Sequence, residues 1–249
     1  MDRRTFITTT ATALGATTLP VPPGQRTTIK AVLFDAFPIL DPRPVSALVS
    51  NLFPEQGQAL VTAWRTRQFE YTWLRTAGQQ YRDFWATTGD ALASAARSAQ
   101  VELTPPQRSM LMDAFLHLRA WPDVPASLQT LKAAGLRVGF LSNFTPAMLE
   151  SNLESAGLRG QFDFVLSTDQ VRSFKPAPAA YRLGLTATGL AREQIAFAAF
   201  AGWDAVGAKW FGYPTVWVNR LQAAPEELGA TPDATGPDLG SVLDLVAKF

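Results

Sequence analysis

Four places along this 249-residue chain carry side chains that could do chemistry together, and each follows an apolar run. Asp35 closes Lys30-Ala31-Val32-Leu33-Phe34. Ser142 and Asn143 close the run from Leu136 to Leu141. Lys175 comes shortly after Phe162 to Ser167. Asp204 follows Ile195 to Phe200 by way of Gly202 and Trp203. A carboxylate beside an ammonium can act as a nucleophile, and a second carboxylate can orient that ammonium or a water. A hydroxyl and an amide can hold an anion. Singly, each residue has a plain structural use. Asp35 and Asp204 can cap turns, Ser142 and Asn143 can make a turn, and Lys175 can be a solvated loop residue. Together they define a candidate site with Asp35 as its nucleophile.

The elements that must position these residues follow from the apolar runs. Runs rich in branched side chains and without alternation read as buried parallel strands. Helical patterns separate them. Ser127 to Ala134 stops at Gly135. A helix capped by Thr145, with Pro146 first, stops at Gly157. Further helices run through Tyr181 and Lys209, and a fifth strand spans Thr215 to Val218, with a final amphipathic helix near Val242 to Val246. Alternation of this kind means an α/β fold with a doubly wound parallel sheet, whose ligands gather at the carboxyl ends of the strands.

A helical insertion, 45–119, interrupts this order after the first strand. A proline-rich connection from Pro38 to Pro44 leads into it. Leu60, Trp64, Phe69 and Trp73 mark one face of a long helix, and Tyr81, Phe84 and Trp85 form an aromatic cluster. An alanine-rich helix is expected from about Asp90, and another from Pro105-Pro106 that buries Met110 or Leu111, Phe115 and Leu118. The core is then 28–44 with 120–249.

Composition narrows the chemistry. With 47% hydrophobic residues the chain can bury one large core plus a subdomain. The net charge is +1, with Lys and Arg scattered, so no nucleic-acid footprint is present. Without cysteine there is no disulfide, thiolate metal site or cysteine nucleophile. The single histidine, His117, lies among Phe115, Leu116 and Leu118 on a helical pattern and reads as structural.

Residues 1–27 read as a signal and linker. Arg3-Arg4-Thr5-Phe6-Ile7, a mildly apolar Thr/Ala-rich run to Leu19 and then Pro20 and Pro22-Pro23 resemble a twin-arginine export signal. The run is a poor membrane span, so the expectation is a folded periplasmic protein with no membrane segment in its mature form.

The strand-end motifs resemble the haloacid dehalogenase superfamily. The matching elements are Asp35, Leu141-Ser142-Asn143, Phe174-Lys175-Pro176-Ala177-Pro178 and Gly202-Trp203-Asp204. Within the insertion, Tyr71-Thr72-Trp73-Leu74-Arg75 is similar to the metal-independent (S)-2-haloacid dehalogenases, and Trp203 to Pro214 agrees. The resemblance implies a Rossmann-like core with a helical cap, no cofactor, no metal, a small 2-haloacid or similar carboxylate as substrate, and a homodimer through the cap. It implies roles as well. Asp35 attacks the carbon bearing the halogen. Arg65 and Asn143 cradle the halide, with Phe69 and Phe84 as apolar walls. Ser142 binds the substrate carboxylate with backbone N–H groups near Ala36 and Phe37. Lys175 offsets the charge of Asp35, and Asp204 positions Lys175 and the hydrolytic water. Tyr181 and Trp203 support the substrate-binding group.

A phosphatase of this superfamily needs an acid two residues after the nucleophile and a carboxylate cluster for Mg²⁺. Here those places hold Phe37 and, at the fourth strand end, Asp204 alone. The branch's usual Asp-Leu-Tyr-Gly-Thr is Asp35-Ala36-Phe37-Pro38-Ile39, and its Ser-Ser-Asn-Ala-Trp-Asp is Ala199-Phe200-Ala201-Gly202-Trp203-Asp204. The hydroxyl near the nucleophile and the water-holding asparagine are therefore replaced by Ile39 and Ala201. Two other functions fit these residues: a related hydrolase with a different leaving group, and a non-catalytic binder of small molecules.

Overall fold

The computed structural model describes residues 28–249. The export signal expected around Arg3 and Arg4 lies outside them. Strand β1 (Ala31–Phe34) is buried throughout. It leads into a single helical turn, α1 (Ala36–Ile39), then a two-residue strand, β2 (Leu40–Asp41), and helix α2 (Arg43–Leu52). The stretch from Pro38 to Pro44 is therefore not a plain connection. Proline's fixed φ suits the first turn of a helix, and Pro44 sits there in α2.

Helices α3 (Gly57–Ala77), α4 (Phe84–Ser98) and α5 (Pro105–Asp113) follow. Helix α4 begins before the expected Asp90, because Asp83 caps it and accepts the Ala86 N–H at 2.7 Å. In α5, Leu111 is buried and Met110 is exposed. A 3₁₀ turn ends at Leu116, so His117 falls outside a helix and is exposed. Strand β3 (Arg119–Ala120) pairs antiparallel with β2, joining the two ends of the helical segment. Pairing between such short pieces, far apart in sequence, leaves no apolar run to read.

The chain continues through α6 (Val124–Ala133), β4 (Arg137–Ser142), α7 (Pro146–Ser155), β5 (Phe164–Ser167), α8 (Pro178–Thr188), β6 (Ile195–Ala199), α9 (Gly202–Phe211), β7 (Thr215–Val218), β8 (Ala234–Gly236) and α10 (Gly240–Val246). The six-stranded sheet is ordered β5-β4-β1-β6-β7-β8 and is parallel at every pairing. Strand β8 has no apolar run and is an addition to the expected strands. Alternate strand residues face two cores. Val32, Phe34, Val138 and Phe140 pack with Leu128, Met148 and Val242 on one side. Leu33, Leu141 and Phe197 pack with Tyr181, Phe211 and Tyr213 on the other. Burial on both faces explains the unbroken apolar runs. Among the described residues no helix is long and apolar enough to cross a membrane.

Candidate active site

Asp35 stands where β1 ends, at the centre of the sheet. Its backbone N–H donates to Ala198 O at 3.0 Å, which fixes it against the end of β6. Its side chain does two things. Oδ2 caps α1 by accepting the Phe37 N–H at 3.4 Å, and Oδ1 accepts from Lys175 Nζ at 2.9 Å. The capping use and the site use coincide in one residue.

Lys175 is 1% exposed and bridges two carboxylates. Its second bond is to Asp204 Oδ2 at 2.6 Å. Tyr181 donates its hydroxyl to Asp204 Oδ1 at 2.6 Å, so both oxygens of Asp204 are engaged. Gly207 makes room for this bond, since a Cβ there would lie 2.6 Å from the Tyr181 hydroxyl. Burial opposes the Lys175 charge, but Asp204 and Asp35 outweigh it and hold the ammonium above its ordinary range. Burial raises Asp204 to about 6, against the pull of Lys175. Burial and Asp204 push the Tyr181 hydroxyl well up, so it remains a donor.

Ser142 and Asn143 are buried at the end of β4. Asn143 Oδ1 accepts the Lys175 backbone N–H at 3.0 Å and the Thr168 hydroxyl at 3.2 Å. With its carbonyl so committed, its NH₂ group is the part free to meet a ligand. Ser142 Oγ accepts the Phe144 N–H at 3.1 Å and keeps its own O–H for donation.

A small cavity, about 20 Å³, lies over these groups. Asp35, Ser142, Asn143 and Asp204 share its wall with Phe37, Phe69, Phe84 and Trp203. Phe144 and Phe200 also line it and were not among the expected residues. Phe37 packs edge-on against Phe144, with ring centres 5.3 Å apart, and lies 5.5 Å from Phe200. The signal for Phe200 was present: an aromatic where the branch carries serine.

Three expected residues do not line the cavity: Arg65, Tyr181, and Lys175, which reaches Asp35 from below it. The Arg65 guanidinium stacks 5.0 Å from the ring centres of both Phe37 and Phe69, behind the cavity wall. It donates to Gln68 Oε1 at 3.0 Å, and Gln68 donates in turn to Thr88 Oγ1 at 2.8 Å. It also borders a separate apolar cavity of about 190 Å³ with Val49, Trp64 and Phe115. Burial lowers it to about 10, with Asp35 acting in the opposite direction. Tyr181 is fully buried behind Asp204, away from the cavity. It supports the carboxylate rather than touching a ligand. The expected apolar face of α3 also splits. Leu60, Trp64, Gln68 and Thr72 are the buried stripe, and Phe69 and Trp73 turn to Trp203, with ring centres 5.1 and 5.4 Å away. Buried Gln68 and Thr72, four apart on that helix, were the sequence signal for this polar seam.

A divalent cation does not fit this donor set. Lys175 already bridges Asp35 and Asp204. Among the described residues no group of three or more acidic, histidine or cysteine side chains is placed to hold a metal.

The fold and this site define a doubly wound α/β protein whose buried polar groups gather at one sheet edge. Residues 29–212 match the model of the haloacid dehalogenase-like hydrolases, and the chain belongs to that family. It is 40% identical to an (S)-2-haloacid dehalogenase of Pseudomonas sp. (strain YL), over 87% of this chain and 94% of that one. It is 34% identical to haloacetate dehalogenase H-2 of Moraxella sp. (strain B), over 88% and 98%. A solved L-2-haloacid dehalogenase from Xanthobacter autotrophicus, with chloropropionic acid covalently bound, superposes with a TM-score of 0.81 at 31% identity, over 88% of this chain and 99% of that one.

Proposed function

We propose that the protein hydrolyses small 2-haloalkanoic acids through a covalent ester on Asp35, without a metal. The observation that carries this reading is the placement of Asp35, with one oxygen held by buried Lys175 and its side chain on the wall of an apolar cavity. An Asp35 oxygen forms a bond to C2 as the carbon–halogen bond breaks, and the halide leaves with the electron pair. In-line displacement inverts C2. Water then adds to the ester carbonyl carbon. The Asp35–O–C2 linkage opens at Cγ, and the products are the 2-hydroxy acid, the Asp35 carboxylate and one proton released to solvent.

The Asn143 NH₂ receives the halide, and the Arg65 guanidinium, stacked on Phe37 and Phe69 behind the cavity wall, adds positive charge from there. Ser142 O–H and the backbone N–H groups after Asp35 hold the substrate carboxylate. Asp204 keeps Lys175 in place and takes the proton of the water. No leaving-group acid is needed, because a halide departs as a stable anion, which suits Phe37 two residues beyond Asp35. The helical segment between β2 and β3 acts as a cap, bringing Phe69 and Phe84 over the site. The relatives named above support the carbon–halogen substrate class. The test is halide release from (S)-2-chloropropionate with EDTA present. Wild type is expected to turn over, and Asp35→Asn to release none. Absence of halide from every short 2-haloacid tried would overturn the reading.

A further inference from the structure

The turn that carries the nucleophile has lost a side-chain anchor, since Ile39 has no hydroxyl. Its backbone is held another way. Trp121 Nε1–H donates to Phe37 O at 2.9 Å, and the Trp121 backbone N–H donates to Ile39 O at 3.0 Å. Arg220 donates to Pro38 O from Nε at 3.0 Å and from a terminal nitrogen at 2.6 Å. Three successive carbonyls behind Asp35 are thus each tied to a residue outside the turn.

The two anchors are themselves fixed. Arg220 pairs with both oxygens of Asp123, at 2.9 and 3.1 Å, and its side chain is 4% exposed. Asp123 Oδ2 also accepts the Leu239 N–H at 2.9 Å. Two guanidinium groups lie against the Trp121 ring, Arg43 at 4.4 Å and Arg220 at 4.6 Å from its centre. The effect of the carbonyl contacts is to fix the peptide planes 37–38, 38–39 and 39–40; the Leu40 N–H of the last plane donates to Ala36 O, whose plane carries the Phe37 N–H that caps Asp35.

We infer that Trp121 and Arg220 are positioning residues that aim the nucleophile turn from behind. Neither touches the cavity, and the inference rests on the proposed function only for its kinetic readout. A loss of aim of about 1 Å in a reacting group costs up to about 10²-fold in rate. Single-turnover halide release is therefore expected to fall about 10- to 100-fold in Trp121→Phe, which keeps the ring and removes the indole donor. A similar fall is expected in Arg220→Lys, which keeps the charge and removes the fork. KM is expected to change little in either. Arg43→Ala removes the second guanidinium from the same ring without touching a turn carbonyl and is expected to keep the wild-type rate.

Hydrogen exchange of the peptide covering 35–41 gives a second readout that needs no turnover. It is expected to speed up in Trp121→Phe and Arg220→Lys and to stay unchanged in Arg43→Ala. Wild-type rates with unchanged exchange in both anchor variants would overturn the inference, as would an equal fall in Arg43→Ala. A wild-type enzyme that releases no halide would count against the dehalogenase reading instead, and the exchange measurement would still decide whether Trp121 and Arg220 hold the turn.

Discussion

Lys175 Nζ lies 2.9 Å from Asp35 Oδ1, across 140 residues of sequence, with the lysine side chain 1% exposed. A buried ammonium between two carboxylates is electrically sound only as a set. Removing it leaves Asp35 and Asp204 facing each other without a cation.

Lys175→Met therefore harms both fold and chemistry. Breaking a buried ion pair by deleting one partner costs about 3–5 kcal/mol. Urea unfolding at neutral pH measures that loss. Halide release should drop by ~10²-fold or more, because the carboxylate is no longer held in one orientation. The stability deficit should shrink in mild acid, where Asp204 takes up a proton and the repulsion disappears. A deficit independent of pH would contradict the bridging role.

Asp204 is expected to set the acidic limit of turnover. Burial lifts it to about 6 from an ordinary 3.8. A raised carboxyl means the folded state binds this proton more tightly than the unfolded chain does. Its contribution to stability is thus complete below 3.8 and is lost as pH rises through about 6. Activity runs the other way, since the ionised form must hold Lys175 and accept the proton of water. Ester hydrolysis should fall tenfold per pH unit below about 6. Tyr181→Phe removes a donor to the ionised carboxylate, so the limb should move to higher pH. Steady-state rates from pH 4.5 to 8 in both proteins check this, and coincident profiles would refute it.

The second half-reaction of the proposed mechanism is expected to be the slower one. Ala201 carries no polar group to hold a water, and both Asp204 oxygens already accept hydrogen bonds. One positioned donor is worth ~10²–10³ in rate. Rapid mixing should accordingly show a burst of halide close to one per site, followed by slow turnover. Ala201→Asn should raise the slow phase at least several-fold and shrink the burst. A wild-type trace without a burst would place the slow step elsewhere.

Much of this was legible because buried parallel strands are unbroken apolar runs whose ends are marked by polar residues. Asp35, Ser142, Lys175 and Asp204 could be placed at one edge for that reason, and Thr145 with Pro146 marked α7 by cap chemistry alone. What stayed hidden is tertiary. The β2–β3 pair and β8 have no run to announce them. The seat of Arg65 on Phe37 and Phe69, and the hold of Trp121 and Arg220 on the nucleophile turn, depend on residues brought together only by folding. Phe69 and Trp73 fit the helical period but face Trp203, because Gln68 and Thr72 take the buried stripe and pair within it through Thr88 and Phe69 O.

The most direct measurement of the central claim is a single turnover of (S)-2-chloropropionate in H₂¹⁸O with enzyme in excess, followed by mass analysis of the peptide containing Asp35. Hydrolysis at the ester carbonyl predicts ¹⁸O in the Asp35 carboxylate and none in the first 2-hydroxypropionate released. Label that appears directly in the product, with Asp35 unlabelled, would mean that water attacks the carbon itself and would contradict Asp35 as nucleophile.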